Sequence, residues 1–160
     1  MSILYGGDYN PEQWPEDTWQ DDWDKLKQAH VNSATINVFS WSLLEPEEGV
    51  FNFDKLDKII ALLEKNNIKI VMATSTAALP FWMTKKYPEI NRVDDYGRRQ
   101  IGVKRENACP NSPEFQRLAS QLVEKIAQRY SSVKNITHWH ISNEYNGYCY
   151  CENCTKAFRE

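Results

Sequence analysis

"IKIVMAT", residues 68–74, is almost continuous apolar sequence. Such a run suits a parallel strand covered on both faces better than a half-wet antiparallel one. Working outward, "FDKLDKIIALLEKNN" (53–67) predicts a helix with Asp54 as N-cap and one stripe of Leu56, Ile59, Ile60 and Leu63. Before it, "SATINVF" (33–39) is brief and β-branched, "EDTWQDDWDKLKQA" (16–29) carries Trp19, Trp23 and Leu26 at helical spacing, and "ILYGG" (3–7) is a short strand ending in glycines. On the other side, "SPEFQRLASQLVEKIAQRY" (112–130) predicts a helix with Ser112 as N-cap and Pro113 at its first position, striped by Phe115, Leu118, Leu122 and Ile126. "NITHWHIS" (135–142) then reads as a fourth strand.

Strands alternating with helices at this spacing imply right-handed crossovers and a parallel sheet, either a barrel or an open doubly wound sheet. No GxGxxG or GxxxxGK[ST] follows the first strand, so the nucleotide-binding open sheet lacks its phosphate loop, and no organic cofactor is expected. The barrel is the favoured α/β architecture. The connection from about residue 75 to 111 is far longer than such units need, and long loops in compact domains tend to be functional. It contains "LPFWMTKKYPEI" (79–90), a short helix opened by Pro80, and then "DDYGRRQIGVKRENACPNSP" (94–113). In a barrel it lies on the face carrying the C-terminal strand ends, where active sites are built.

At 160 residues the chain accommodates one domain, or part of one. With 19 Lys plus Arg against 22 Asp plus Glu and no basic run, it lacks the electrostatic footprint of a nucleic-acid or anionic-membrane binder. No window reaches the roughly 18 apolar residues of a membrane span, and the first residues do not form a secretion signal. A soluble, cytoplasmic protein with a neutral partner is expected. Aromatic residues make up 12% of the chain, and flat rings bordered by polar groups suit the C–H faces of sugars, although most such rings serve packing.

Cys149, Cys151 and Cys154 form a CxCxxC cluster, and Cys109 lies in the long third loop. Two thiolates on a tight loop and one at the start of a helix can converge with the fourth on a closed tetrahedral zinc site. Disulfides and free structural thiols are the alternatives, and bridging Cys149 to Cys151 is awkward geometrically. If zinc binds, its role is architectural, because four cysteines leave no position for water.

Glu144 follows Asn143 at the end of the fourth strand, which points the acid over the barrel mouth. To protonate a leaving oxygen near neutral pH, its carboxyl needs a partly desolvated site, which Trp139 and Tyr145 could supply. Asn143 is placed to bond a sugar hydroxyl beside the reacting carbon. Alone, an Asn-Glu pair is weak evidence, and a Glu after a strand is often a solvated loop residue. His138 and His140 read as hydrogen-bonded wall residues rather than ligands, and Arg105 as a surface charge or a contact to ligand hydroxyls.

"YGGDYNPEQWP", "FSWSLLEPEEGVFNFDKLD", "ACPNSP" and "WHISNEYN" with the trailing CxCxxC together resemble the N-terminal half of the catalytic barrel of glycoside hydrolase family 42 β-galactosidases. The resemblance spans essentially all residues 1–160 and implies a (β/α)8 TIM barrel of which only the first four β/α units are present. It implies that Glu144 is the general acid/base, that Asn143 and Arg105 bind galactose, and that Cys109, Cys149, Cys151 and Cys154 hold a structural Zn2+. It also implies a β-galactoside substrate and assembly into homo-oligomers, as trimers. The nucleophile of a retaining enzyme is then expected on strand seven, beyond residue 160, and since roughly 250 residues make such a barrel the chain reads as a fragment with exposed strand edges. Two other readings stand beside it: a clan relative acting on another sugar, and a non-catalytic truncated or sugar-binding chain.

Overall fold

A computed structural model of the protein describes residues 3–100, 105, 107–145 and 147–160. Strands β1 (Gly6–Asp8), β2 (Ser33–Ile36), β3 (Lys69–Ala73) and β4 (Ile136–His140) form one sheet in the order β1-β2-β3-β4, and every pairing is parallel. Helix α1 (Trp19–Gln28) follows β1, and a single turn α2 (Trp41–Leu44) and then α3 (Asp54–Lys65) follow β2. Helices α4 (Phe81–Lys86) and α5 (Pro113–Arg129) lie in the crossover after β3, and α6 (Glu152–Arg159) comes after β4. Sequential parallel neighbours with helical crossovers are the first four units of a (β/α)8 barrel.

Alternation along the strands separates two faces. Ala34, Ile36, Ile70 and Met72 point outward and are buried beneath Trp23 of α1, Leu56, Ile59, Ile60 and Leu63 of α3, and Leu118, Leu122 and Ile126 of α5. Thr35, Val71 and His138, aligned in register across three strands, line a groove on the opposite face, the inner wall of the barrel. Gly6 is required where it stands, since a Cβ there meets the Ser33 carbonyl oxygen at 1.7 Å. Among the described residues no helix is long and apolar enough to cross a membrane.

Helix α5 starts as its sequence predicts, with Ser112 Oγ accepting from the Phe115 N–H at 3.4 Å and Pro113 at the first helical position. Helix α3 does not. Asp54 is its first helical residue rather than its cap, and its N–H is taken by Asn52 Oδ1 at 2.9 Å, so the acid instead complements the N-terminal dipole. Strands β2 and β4 are shorter than expected because Asn37 (φ 69°) and Ser142 (φ 59°) turn the backbone out of the extended region. Strand β1 is shifted to Gly6–Asp8, since the Asn32 side chain is taken up with Tyr5 and Ile3.

The loops above the sheet are tied to the helices by buried and half-buried carboxylates. Glu45, fully buried, accepts from Trp41 Nε1 and from the Gly49 N–H, both at 2.8 Å, while its carbonyl accepts from Trp82 Nε1. Glu48 takes Lys86, Tyr87 and Arg117. The second loop is thus fastened to α4 and α5.

Candidate active site and cysteine cluster

The carboxyl ends of β2, β3 and β4 all leave the sheet through left-handed non-glycine residues: Asn37, then Ser75 (φ 60°), then Ser142. Such positions cost energy and persist only where surrounding bonds hold them. Here the holding bonds run from strand to strand. Asn37 Nδ2 donates to the Ala73 carbonyl at 3.1 Å, Ser75 Oγ donates to the Asn37 carbonyl, and the Ser142 N–H donates to Thr74 Oγ1 at 2.9 Å.

This belt delivers Asn143 and Glu144 to the rim. Asn143 is buried, and Glu144, itself at φ 43°, carries its side chain outward with 68% exposure. Its Oε2 accepts from Arg105 Nη2 at 2.7 Å. Arg105 reaches it from the third loop, where its backbone bridges to Ala78 and its guanidinium lies 4.3 Å from the centroid of the Phe39 ring. The three residues expected to act together are therefore on one rim, Glu144 and Arg105 in direct contact.

The aromatic shielding expected for Glu144 is absent among the described residues. Trp139 is in register with Met72, so its ring faces the helix side of the sheet, and Tyr145 is exposed. Alternation places Trp139 on the wrong face for that task. His138 lies on the inner wall with Nδ1 3.0 Å from Thr137 Oγ1, and among the described residues neither it nor His140 joins a group able to hold a metal.

The four cysteines do converge. Cys109 comes from the third loop, Cys149 and Cys151 from the loop after β4, and Cys154 from the first turn of α6; their four Sγ atoms lie within 4.8 Å of one another. Cys109 Sγ stands 3.4 Å from both Cys151 and Cys154, too far for a disulfide of about 2.05 Å. A tetrahedral ion with bonds of about 2.3 Å sets its sulfurs roughly 3.8 Å apart, so the donor set fits a metal ion with small shifts. The Val93 N–H and Asn111 Nδ2 point at Cys149 and Cys154 Sγ, each at 3.4 Å, as outer partners that orient the ligands. Burial and the Cys154 and Cys151 thiols push the Cys109 thiol up. Burial also opposes ionisation of Cys151, but the Cys154 backbone N–H and the adjacent thiols outweigh it and bring its pKa down to about 7. Four sulfurs packed this closely are a donor set that a cation would hold together. Nearby, Gly147 (φ 70°) has Arg92 Nη1 2.7 Å from where a Cβ would stand, so the guanidinium packs directly on the backbone of the same loop.

Sequence reasoning did not single out Phe39, Asn37, Ser75 or Thr74. Asn and Ser just past a β-branched run are the residue types that tolerate left-handed turns, and that signal marks the strand ends.

A carboxyl group at the tip of β4 and an arginine bonded to it stand on the C-terminal rim of a parallel β/α sheet, the face on which (β/α)8 barrels build their active sites, and the same two loops carry a cysteine cluster able to hold a metal ion. The model of glycosyl hydrolase family 42, Beta-galactosidase, matches residues 8–160, and the chain belongs to this family. Beta-galactosidase LacZ of Lactobacillus acidophilus is 59% identical over 158 residues, covering 99% of this chain, and beta-galactosidase BgaA of a Planococcus species is 50% identical over 98% of it. The crystal structure of beta-galactosidase from Bacillus circulans sp. alkalophilus superposes with a TM-score of 0.95 at 50% identity, and that of the enzyme from Rahnella sp. R3 with 0.95 at 39%, each covering 98% of this chain and 23% of theirs. The chain spans about a quarter of the length of the curated relatives it matches, 24% for the L. acidophilus protein.

Proposed function

We propose that these residues form the acid/base side of the active site of a retaining β-galactosidase. Glu144 gives its proton to the departing glycosidic oxygen while a second carboxylate, outside residues 1–160, attacks the anomeric carbon and forms a glycosyl-enzyme. Glu144 then takes a proton from the water that releases the sugar, which restores both groups. Asn143 bonds the hydroxyl next to the reacting carbon, a contact that strengthens as positive charge develops there. Arg105 donates to sugar hydroxyls.

The observation that carries this reading is the 2.7 Å pairing of Arg105 with Glu144 at the carboxyl end of β4, within a chain of this family. The four cysteines are read as a structural Zn2+ site, supported by the convergence of their sulfurs and by a ligand set that leaves no place for substrate or water. Reduced thiolates of this kind fit a cytoplasmic location. Assembly into trimers is carried by the resemblance alone, and light scattering checks it.

The test uses the full-length protein with chromogenic glycosides. Rapid cleavage of an aryl β-galactoside, slow or no cleavage of the α-galactoside and β-glucoside, and β-galactose as the first anomer released by NMR support the reading. Preference for another sugar, or release of the α-anomer first, overturns it. The 160-residue chain by itself is expected to give no turnover, since it supplies one carboxylate of the pair.

A further inference from the structure

We infer that Phe39 is the positioning residue for Arg105, and that its ring sets the guanidinium in the orientation from which it meets Glu144 and a sugar. The inference rests on the galactoside-binding reading of Arg105.

Arg105 is an exposed side chain on a long loop, and an arginine of that kind ordinarily samples many rotamers in water. Two features restrict it. Its backbone is fixed by the bridge to Ala78, and its guanidinium carbon sits 4.3 Å from the Phe39 ring centroid, within cation–π range. The ring is a firm support. Val38 and Ser40 on either side of it are buried, Ser40 Oγ donates to Glu12 Oε1 at 2.8 Å, and Asn37 just before them is held by β3. One rigid strand end thus presents an aromatic face to a mobile-type side chain from the next loop, which in turn reaches the acid from the strand after that.

The chemistry of the support matters. A carboxylate at position 39 would also hold the arginine, but it would cancel the charge and consume the in-plane N–H donors. A ring attracts the guanidinium through its face and leaves those donors in the plane, free for Glu144 Oε2 and for hydroxyls. Phe39 accordingly fixes where the donors point without competing for them.

The experiment combines kinetics on an aryl β-galactoside with NMR of the full-length protein, using Phe39→Leu, Phe39→Tyr, Phe39→Trp, Arg105→Ala and Phe39→Leu with Arg105→Ala. Phe39→Leu keeps the apolar bulk and is expected to raise KM roughly three- to tenfold with kcat and Tm little changed. Phe39→Tyr and Phe39→Trp restore wild-type KM, and Phe39→Leu adds nothing once Arg105 is alanine. The Arg105 Nε–H resonance is shifted by the ring current in the wild type and moves toward its free value in Phe39→Leu. A wild-type KM in Phe39→Leu alongside a large loss in Arg105→Ala refutes the inference and leaves the galactosidase reading intact. An Arg105 resonance already at its free value in the wild type refutes it whatever the kinetics. No loss in Arg105→Ala removes the sugar-binding role of Arg105, and this inference with it.

Discussion

Arg105 and Glu144 are 39 residues apart in the chain, yet Nη2 of one and Oε2 of the other are 2.7 Å apart. They meet because β3 and β4 are parallel neighbours, so the loops that follow them open on the same side of the sheet. A partly exposed ion pair of this kind contributes little to stability. Its consequence is geometric, because it places a forked donor beside a carboxyl group on a rim open to ligand.

Arg105→Ala is therefore expected to lower kcat/KM for a β-galactoside by about ten- to a hundredfold, the range of a lost charge-assisted hydrogen bond, with little change in Tm. Arg105→Lys restores part of it only, since an ammonium cannot reproduce the planar fork. Steady-state kinetics decide this, and unchanged values would make Arg105 a surface charge.

Metal content tests the cysteine cluster. Protein purified without chelator is expected to hold about one zinc per chain, and removing it, or replacing Cys154 with Ser, is expected to lower Tm by several degrees. Substantially less than one zinc, with Tm indifferent to chelator, would leave the four cysteines as packed thiols.

Two carboxyl groups predict opposite pH dependences. Glu12 is 8% exposed with Oε2 unpartnered among the described residues, and burial raises its pKa above the ordinary 4.5. The fold thus favours its protonated form, and a penalty absent below that value grows as pH rises through the folded one. Glu12→Gln is expected to raise Tm at pH 7 and to lose its advantage toward pH 4. Asp57 is the reverse: Arg129 and then Tyr130 hold its carboxyl below the ordinary 3.8, with Arg129 Nε at 2.9 Å. That contribution is present above 3.8 and is lost as pH falls, so Asp57→Asn lowers Tm at pH 7 and the difference narrows in acid. Thermal melts across pH check both, and parallel curves for the variants and wild type would contradict them.

Much of this was legible in the residues. The apolar run at 68–74, the stripe on α3 and the Ser112-Pro113 start of α5 follow from period and cap chemistry, and the structure reproduces all three. The spacing of the cysteines led to their convergence for the same local reason, since three of them lie within six residues. What was not legible depends on which face a residue takes. Trp139 looked like a neighbour of Glu144, but alternation along β4 turns it to the helix side, and the left-handed turns at Asn37 and Ser142 cut the strands short of their apolar runs. The contact of Phe39 with Arg105 joins the ends of different β/α units, and no local pattern announces such a meeting.

The most direct measurement is turnover of Glu144→Gln in the full-length protein, with and without azide. The account predicts a fall of about a hundredfold or more on an alkyl β-galactoside, whose leaving group needs the proton. It also predicts that azide accelerates the variant on an activated aryl galactoside and yields β-galactosyl azide, because a small anion can attack the glycosyl-enzyme without base assistance. Wild-type turnover of the alkyl galactoside by Glu144→Gln, with no effect of azide, would contradict it.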